Sequence, residues 1–156
     1  ATEMQAAIGC AQLEKLPEFI EARKKNWKLL REELDDLSDK FILPKPAYNS
    51  DPSWFGFLLT VRENAGFTRA QIVNHLESKG IQTRMLFAGN LIKHPCFDEM
   101  KRTGQGYRVV GSLRNTDMIM NHAFWLGTYP GLSESALAYI VAQVREFLSS
   151  GKRRQK

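Results

Sequence analysis

The sequence predicts an α+β domain in which a small, mainly antiparallel sheet of three strands is covered by helices. Helical and strand patterns alternate in the order ααβαβαβα, and no segment is repeated. The chain has 156 residues, of which 43% are hydrophobic and 25% charged, and this is enough for one ordinary core. Turn and capping residues mark the boundaries between these helices and strands.

Two helices are predicted at the start of the chain. Apolar residues recur at helical spacing over residues 2–16, at Met4, Ala7, Ile8, Ala11 and Leu16. Pro17 interrupts this pattern and fits best in the first turn of a second helix over 17–37. The residues predicted to face inward from that helix are Phe19, Ile20, Trp27, Leu30, Leu34 and Leu37. The helical spacing of apolar residues over 2–16 is regular from its first residues, with no irregular segment before it. We therefore expect the natural chain to continue upstream of residue 1.

The remaining elements follow from composition and caps. Residues 41–51, rich in Pro, Asn and Asp, are predicted to form a connection. Aromatic and aliphatic runs predict strands at 54–61, 81–87 and 123–127. Thr68 and Gln71 form a capping box ahead of a helix over 69–79, which Gly80 ends. A short helix over 115–121 and a last helix capped by Ser133 complete the prediction.

Charge and cysteine content exclude several classes of protein. The net charge is +5, but four of the cations lie at the C-terminus, in a basic tail at 151–156 that is predicted to be disordered. A nucleic-acid surface is therefore not predicted. Cys10 and Cys96 lack the spacing of metal ligands, and the three histidines share no helical spacing. With no signal peptide and no apolar run of about 18 residues, the sequence favours a cytoplasmic protein with no membrane partner.

No common catalytic motif is present, but an aromatic cluster stands at the entry of the first strand. Trp54, Phe55 and Gly56 belong to this cluster. A glycine inside a strand often marks the close approach of a ligand or of another backbone. The same composition fits aromatic rings that fill a core, and the sequence leaves both interpretations open.

A second cluster covers residues 83–90. Arg84 lies inside an apolar strand, and Phe87 and Asn90 stand at its end, around a glycine. An arginine in such a strand either reaches solvent or pairs with an anion such as a phosphate. These two interpretations also remain open.

Four longer segments of the sequence resemble those of a known protein family. The opening helix at 2–16, SDPSWFGF at 50–57, TRMLFAGNL at 83–91 and NHAFWLGTYPGLS at 121–133 resemble the DegT/StrS-type pyridoxal-phosphate sugar aminotransferase family. Within that family they are most similar to the RfbH-like 3-dehydrase branch, which acts on CDP-4-keto-6-deoxyglucose. The resemblance runs from the first residue to about residue 148.

This resemblance implies a fold-type I enzyme that binds pyridoxamine phosphate and a nucleotide-linked 4-keto-6-deoxyhexose. The cofactor amine condenses with the C4 ketone of the sugar, a base removes a proton from C4′ of the cofactor, and the C3 hydroxyl leaves. A reductase then delivers electrons. The product is a deoxysugar for lipopolysaccharide O-antigen, and the parent enzyme is a homodimer.

The resemblance also implies that residues 1–150 are the small C-terminal domain, entered by the helix at 1–16 from a large N-terminal domain. That large domain would hold the cofactor, the catalytic histidine and the cysteines of an iron–sulfur cluster. We therefore expect no catalytic residue, no bound cofactor and no activity in this chain alone. Its substrate- or cofactor-facing residues would be Trp54, Phe55, Arg84, Phe87 and Asn90. The alternatives are part of a 4-aminotransferase, which has lysine in place of the histidine, and an independent binding module.

Overall fold

A computed structural model describes residues 2–153, and side chains as far as residue 150. The strands are β1 (Phe41–Ile42), β2 (Gly56–Val61), β3 (Thr83–Met85) and β4 (Ala123–Gly127), and they form one sheet in the order β1-β2-β4-β3. The helices are α1 (Glu3–Glu33), α2 (Arg69–Ser78), α3 (Asp98–Thr103), α4 (Arg114–His122) and α5 (Glu134–Arg153). The α+β class with an antiparallel sheet is confirmed. The predicted count of three strands was wrong, because four are present among the described residues.

The additional strand is β1, in the segment predicted to be a connection. Phe41 pairs with Val61 and Ile42 with Thr60, in antiparallel register with β2. The Phe41 side chain is fully buried, and its ring meets that of Phe67 edge-on with the centroids 5.7 Å apart. A strand of two residues is too short to show an alternating pattern, so composition alone could not reveal it.

Helix α1 is continuous from Glu3 to Glu33, so the predicted division into two helices at Pro17 was wrong. A capping box starts the helix: the Gln5 amide donates to Thr2 Oγ1 at 3.3 Å, and the Thr2 amide donates to Gln5 Oε1 at 2.9 Å. A proline inside a helix removes one backbone hydrogen bond at a cost of about 3 kcal/mol. The long runs of helix-forming residues on both sides outweigh this loss, and the helix bridges it.

The chain forms two compact units. The first comprises Ala1–Asp36, Pro44–Phe57 and Gly127–Lys156. In this unit α5 packs along α1, and Arg145 donates to both Asp36 carboxylate oxygens, at 2.8 and 2.9 Å. The buried hydrophobic residues of the first unit are Trp27, Leu30, Leu34, Phe57, Leu137, Ile140, Val141 and Val144. Phe19, which was predicted to face inward, is instead partly exposed.

The second unit comprises Leu37–Leu43 and Leu58–Leu126. The predicted capping box of α2 is confirmed, since the Gln71 amide donates to Thr68 Oγ1 and the Thr68 amide to Gln71 Oε1. Gly80 follows with φ +76°, the left-handed conformation that ends a helix. The buried hydrophobic residues of the second unit are Phe41, Leu59, Val61, Ala65, Ile72, Leu76, Ile81, Ala123, Phe124 and Leu126.

The first half of α1 and the end of α5 lie at the two ends of the chain. The first half of α1 carries exposed apolar side chains, with Met4 at 78%, Ile8 at 64% and Leu13 at 67%, and these lie outside the cores of the two units. At the other end α5 extends to Arg153 and includes the first part of the predicted tail. The rest of that tail, 154–156, lies outside the described residues.

Candidate functional site

Trp54 is held in place by contacts within the first unit. Its ring stacks on that of Trp27 with the centroids 3.9 Å apart and the planes 2° from parallel. Its carbonyl accepts a hydrogen bond from the Thr128 hydroxyl at 3.3 Å. The backbone of Trp54 has φ +52°, a left-handed conformation that costs a residue other than glycine about 1–2 kcal/mol. Trp54 is therefore fixed by stacking, and the core interpretation of this residue has direct structural support.

Phe55, the next residue, has the opposite surroundings. Its side chain is 76% exposed, although it lies at the entry of β2, where Gly56 and Phe57 are buried. Phe55 precedes the strand, which begins at Gly56, and follows Trp54 with its left-handed backbone, so the alternation of side chains along β2 does not place it in the core beside Phe57. Phe55 thus lies exposed at the surface of the first unit.

Arg84 lies on β3, at the edge of the sheet, opposite Trp125 of β4. Its Nη1 donates to the carbonyl of Thr83 at 2.9 Å, and the side chain is exposed. Glu77 lies close to this strand: its Oε1 accepts from the amide of Thr83 at 2.6 Å and from the Thr83 hydroxyl at 2.8 Å. These two hydrogen bonds, with a smaller contribution from the charge of Arg84, hold the pKa of Glu77 below its usual value. Arg84 therefore reaches solvent, with most of its donors directed outward.

The turn that follows β3 is strained and well fixed. Phe87 has φ +48°, its amide donates to the carbonyl of Met85 at 2.8 Å, and its side chain is 80% exposed, with one ring edge towards Trp125. Gly89 has φ +66°, and a Cβ at this position would lie 2.6 Å from Cγ of Met120. Only glycine combines this conformation with such a close approach.

Asn90 is 3% exposed, and its amide is bound inside the second unit. Its Nδ2 donates to Oδ1 of Asp117 at 2.8 Å, and Lys93 Nζ lies 2.8 Å from the same oxygen. The hydrogen bond from Lys93, followed by that from Asn90, holds the pKa of Asp117 below its usual value. The side chain of Asn90 thus ties the turn to α4.

Within the second unit, the structure brings together Phe87 and Asn90 on one turn, with Arg84 on the strand before it. Trp54 and Phe55 belong to the first unit, and the predicted grouping of all five remains a prediction. Sequence reasoning missed Lys93 and Asp117. Asp117 falls four residues after Leu113, in the first turn of α4, where an acidic residue has an ordinary explanation in the helix dipole, so the sequence carried no signal for its contact with Asn90.

The residues at this turn do not fit a pyridoxal-type cofactor by themselves. Nζ of Lys93 lies 2.8 Å from Oδ1 of Asp117, and Nε2 of His94 lies 2.5 Å from the carbonyl of Ala88, so both side chains have partners within this unit. We therefore derive no step through such a group from this chain. Among residues 2–150, no three His, Cys, Asp or Glu side chains are gathered so as to hold a metal ion. In the part of the chain that the structure describes, no helix is long and apolar enough to cross a membrane.

The chain is an α+β protein of two compact units, and the second unit carries an exposed arginine and an exposed aromatic ring beside a fixed polar turn. Comparison with known proteins gives its family. The profile of the DegT/DnrJ/EryC1/StrS aminotransferase family matches residues 1–145. The chain belongs to this family.

Two curated relatives and one solved structure show what the chain is similar to. It is 49% identical over 146 residues to the lipopolysaccharide biosynthesis protein RfbH of Salmonella typhimurium, covering 94% of this chain and 32% of the relative. It is 43% identical over 148 residues to the dTDP-4-dehydro-2,6-dideoxy-D-glucose 3-dehydratase of Saccharopolyspora spinosa, covering 95% and 31%. The structure of the E. coli GDP-4-keto-6-deoxy-D-mannose-3-dehydratase with bound hydrated PLP superposes with a TM-score of 0.77 at 28% identity, covering 90% of this chain and 34% of the other. The chain thus spans about a third of the length of these proteins.

Proposed function

We propose that this chain is the C-terminal domain of a pyridoxamine-phosphate-dependent dehydrase that removes the C3 hydroxyl of a nucleotide-linked 4-keto-6-deoxyhexose. The observation that carries the proposal is the 43% identity, over almost the whole chain, to a protein named as a sugar 3-dehydratase. The higher identity to a lipopolysaccharide biosynthesis protein supports a deoxysugar of the O-antigen as the product.

A 4-aminotransferase on a similar nucleotide sugar is the alternative, because the family is named for aminotransferases. In the family the deciding residue, histidine or lysine, lies in the large domain. Reading that residue in the full-length gene distinguishes the two activities. A lysine there would exclude the dehydrase.

The parent enzyme in this proposal has further parts. A large N-terminal domain holds the cofactor, the base and the ligands of an iron–sulfur cluster, a reductase supplies electrons, and two chains form a homodimer. The exposed stripe of Met4, Ile8 and Leu13 supports the presence of a covering domain or subunit. The two cysteines are free and exposed, as is usual in the reducing cytoplasm.

The role of this chain in the proposal is to form one wall of the substrate site. Arg84 presents its guanidinium outward from the sheet edge and would donate to the diphosphate or to sugar hydroxyls. Phe87 and Phe55 present exposed rings that would pack against the sugar or the cofactor. Trp54 and Asn90, which were predicted to face the ligand, would act by fixing these surfaces, because both are held by internal contacts.

Two measurements test the proposal. Mixed with pyridoxal or pyridoxamine phosphate, this chain should give no stoichiometric absorbance band, whereas the full-length protein should.

In the full-length protein, Arg84→Ala should lower kcat/KM by about one to two decades, since a charge-assisted contact is lost, and leave the melting temperature unchanged. Arg108→Ala, at an exposed arginine of a loop, is the matched control. Unchanged kinetics would remove Arg84 from the site, and a collapse of the melting temperature would assign it a structural role.

A further inference from the structure

A polar cleft of about 660 Å³ lies within the second unit. Residues just after β2 and residues of α4 line it, and Ile42, Val61 and Met118 are the apolar members of the lining. The polar side chains that line it include Arg62, Asn64, Arg114, Asn115, Asp117 and Asn121. Asp117 also accepts the hydrogen bond from Asn90, so the cleft shares a wall with the turn after β3.

The two arginines of the cleft are left with free donors. Arg62 is oriented by its Nε, which donates to the carbonyl of Ser38 at 2.8 Å, so that both Nη groups remain available. Arg114 has no hydrogen-bond or ion-pair partner among the described residues. Of the two carboxylates in the lining, Asp117 is already paired with Lys93, and only Glu63 remains. The cleft therefore offers more positive charge than its own side chains neutralise.

We propose that this cleft is a binding site for a phosphate group, as carried by a phosphorylated or a nucleotide-linked ligand. Guanidinium groups bind phosphate through pairs of parallel hydrogen bonds, and the amides of Asn64, Asn115 and Asn121 supply further donors. The apolar residues of the lining, Ile42, Val61 and Met118, suit the uncharged part of such a ligand. The inference goes beyond the five residues of the proposed function, and it rests on that function only where the ligand is a nucleotide sugar.

The test is titration of the chain with pyrophosphate and, separately, with cytidine diphosphate, followed by the NMR shifts of backbone amides. Both ligands should give saturable shifts concentrated at residues 62–64 and 112–122. Tighter binding of cytidine diphosphate would indicate a nucleotide-linked ligand, and equal binding a simple phosphorylated one. Arg114→Gln should weaken binding about tenfold or more, whereas Arg108→Gln, which removes the same charge outside the cleft, should change it less than about twofold.

Absence of saturable shifts at millimolar pyrophosphate would overturn the proposal, as would equal weakening by Arg114→Gln and Arg108→Gln. If Arg114→Gln does not fold, Asn121→Asp decides, because it places a repelling carboxylate in the lining and keeps both arginines. Unaltered binding in a folded Asn121→Asp variant would refute the site. The titration measures ligand binding and requires neither a cofactor nor catalytic activity. Its result is therefore independent of whether the full-length protein is a dehydrase.

Discussion

Replacing Gly89 by alanine tests whether the turn after β3 is packed against α4 as closely as the structure shows. At φ +66° an alanine costs about 1–2 kcal/mol in backbone strain. Its Cβ would also lie 2.6 Å from Cγ and 2.8 Å from Cβ of Met120, an overpacking that costs about 1–3 kcal/mol more. At roughly 2–4 °C per kcal/mol for a chain of this length, the melting temperature should fall by roughly 4–20 °C.

Gly80→Ala is the matched control. Gly80 has φ +76°, but a Cβ there would meet nothing within 4 Å, so only the strain applies and the fall should be roughly 2–8 °C. Thermal unfolding followed by circular dichroism measures both variants. Adding Met120→Ala to Gly89→Ala should recover the part of the overpacking that comes from Cγ and Sδ of Met120, while the contact with its Cβ remains, and a double-mutant cycle isolates the recovered part. If Gly89→Ala loses no more than Gly80→Ala, and Met120→Ala recovers nothing, the close contact is refuted.

Two further predictions concern stability. Trp27→Ala removes a buried ring that stacks on Trp54 and should lower the free energy of unfolding by about 3–5 kcal/mol in chemical denaturation; a loss below about 1 kcal/mol would contradict this packing. Hydrogen bonds from Thr83 lower the pKa of Glu77 in the folded state, so their contribution to stability is present above the unfolded pKa. It is lost as the pH falls from the unfolded pKa through the lower, folded pKa. Glu77→Gln should therefore flatten the acid side of a stability–pH profile, and an unchanged slope would show that Glu77 does not contribute.

Sequence reasoning succeeded where a few adjacent residues determine the structure. The capping box of Thr68 and Gln71, the stop at Gly80 and the strand at 123–127 depend on local hydrogen bonds and on an uninterrupted apolar run, and all three were predicted. It failed where distant residues decide. Strand β1 exists because Phe41 and Ile42 meet Val61 and Thr60, some twenty residues away. The division at Pro17 failed for a local reason, because the helix-forming residues on both sides outweigh the lost hydrogen bond.

The candidate site, like the fold, could be predicted from the sequence only in part. The sequence singled out Arg84 as unusual for an apolar strand and placed Phe87 at the end of that strand, and the structure gives both exposed side chains at the sheet edge and the turn. It could not predict that Trp54 stacks on Trp27 or that Asn90 is bound by Asp117, because these partners lie 27 residues away in each case and follow no spacing rule. Residue type therefore indicated which segments matter, whereas tertiary contacts decide which side chains face outward.

The conformation of Phe87 is costly for a residue with only a structural role. A left-handed backbone at a residue other than glycine costs about 1–3 kcal/mol, and an aromatic ring that is 80% exposed regains little of this by burial. The turn nevertheless keeps this conformation, because Asn90 is bound to Asp117 and Gly89 is packed against Met120 on the same helix. Strain that is maintained by neighbouring contacts is characteristic of binding surfaces formed in advance of the ligand. The conformation of the turn therefore supports the ligand-facing role that the proposed function gives to Phe87, with the hydrogen bond between Asn90 and Asp117 holding the turn in place.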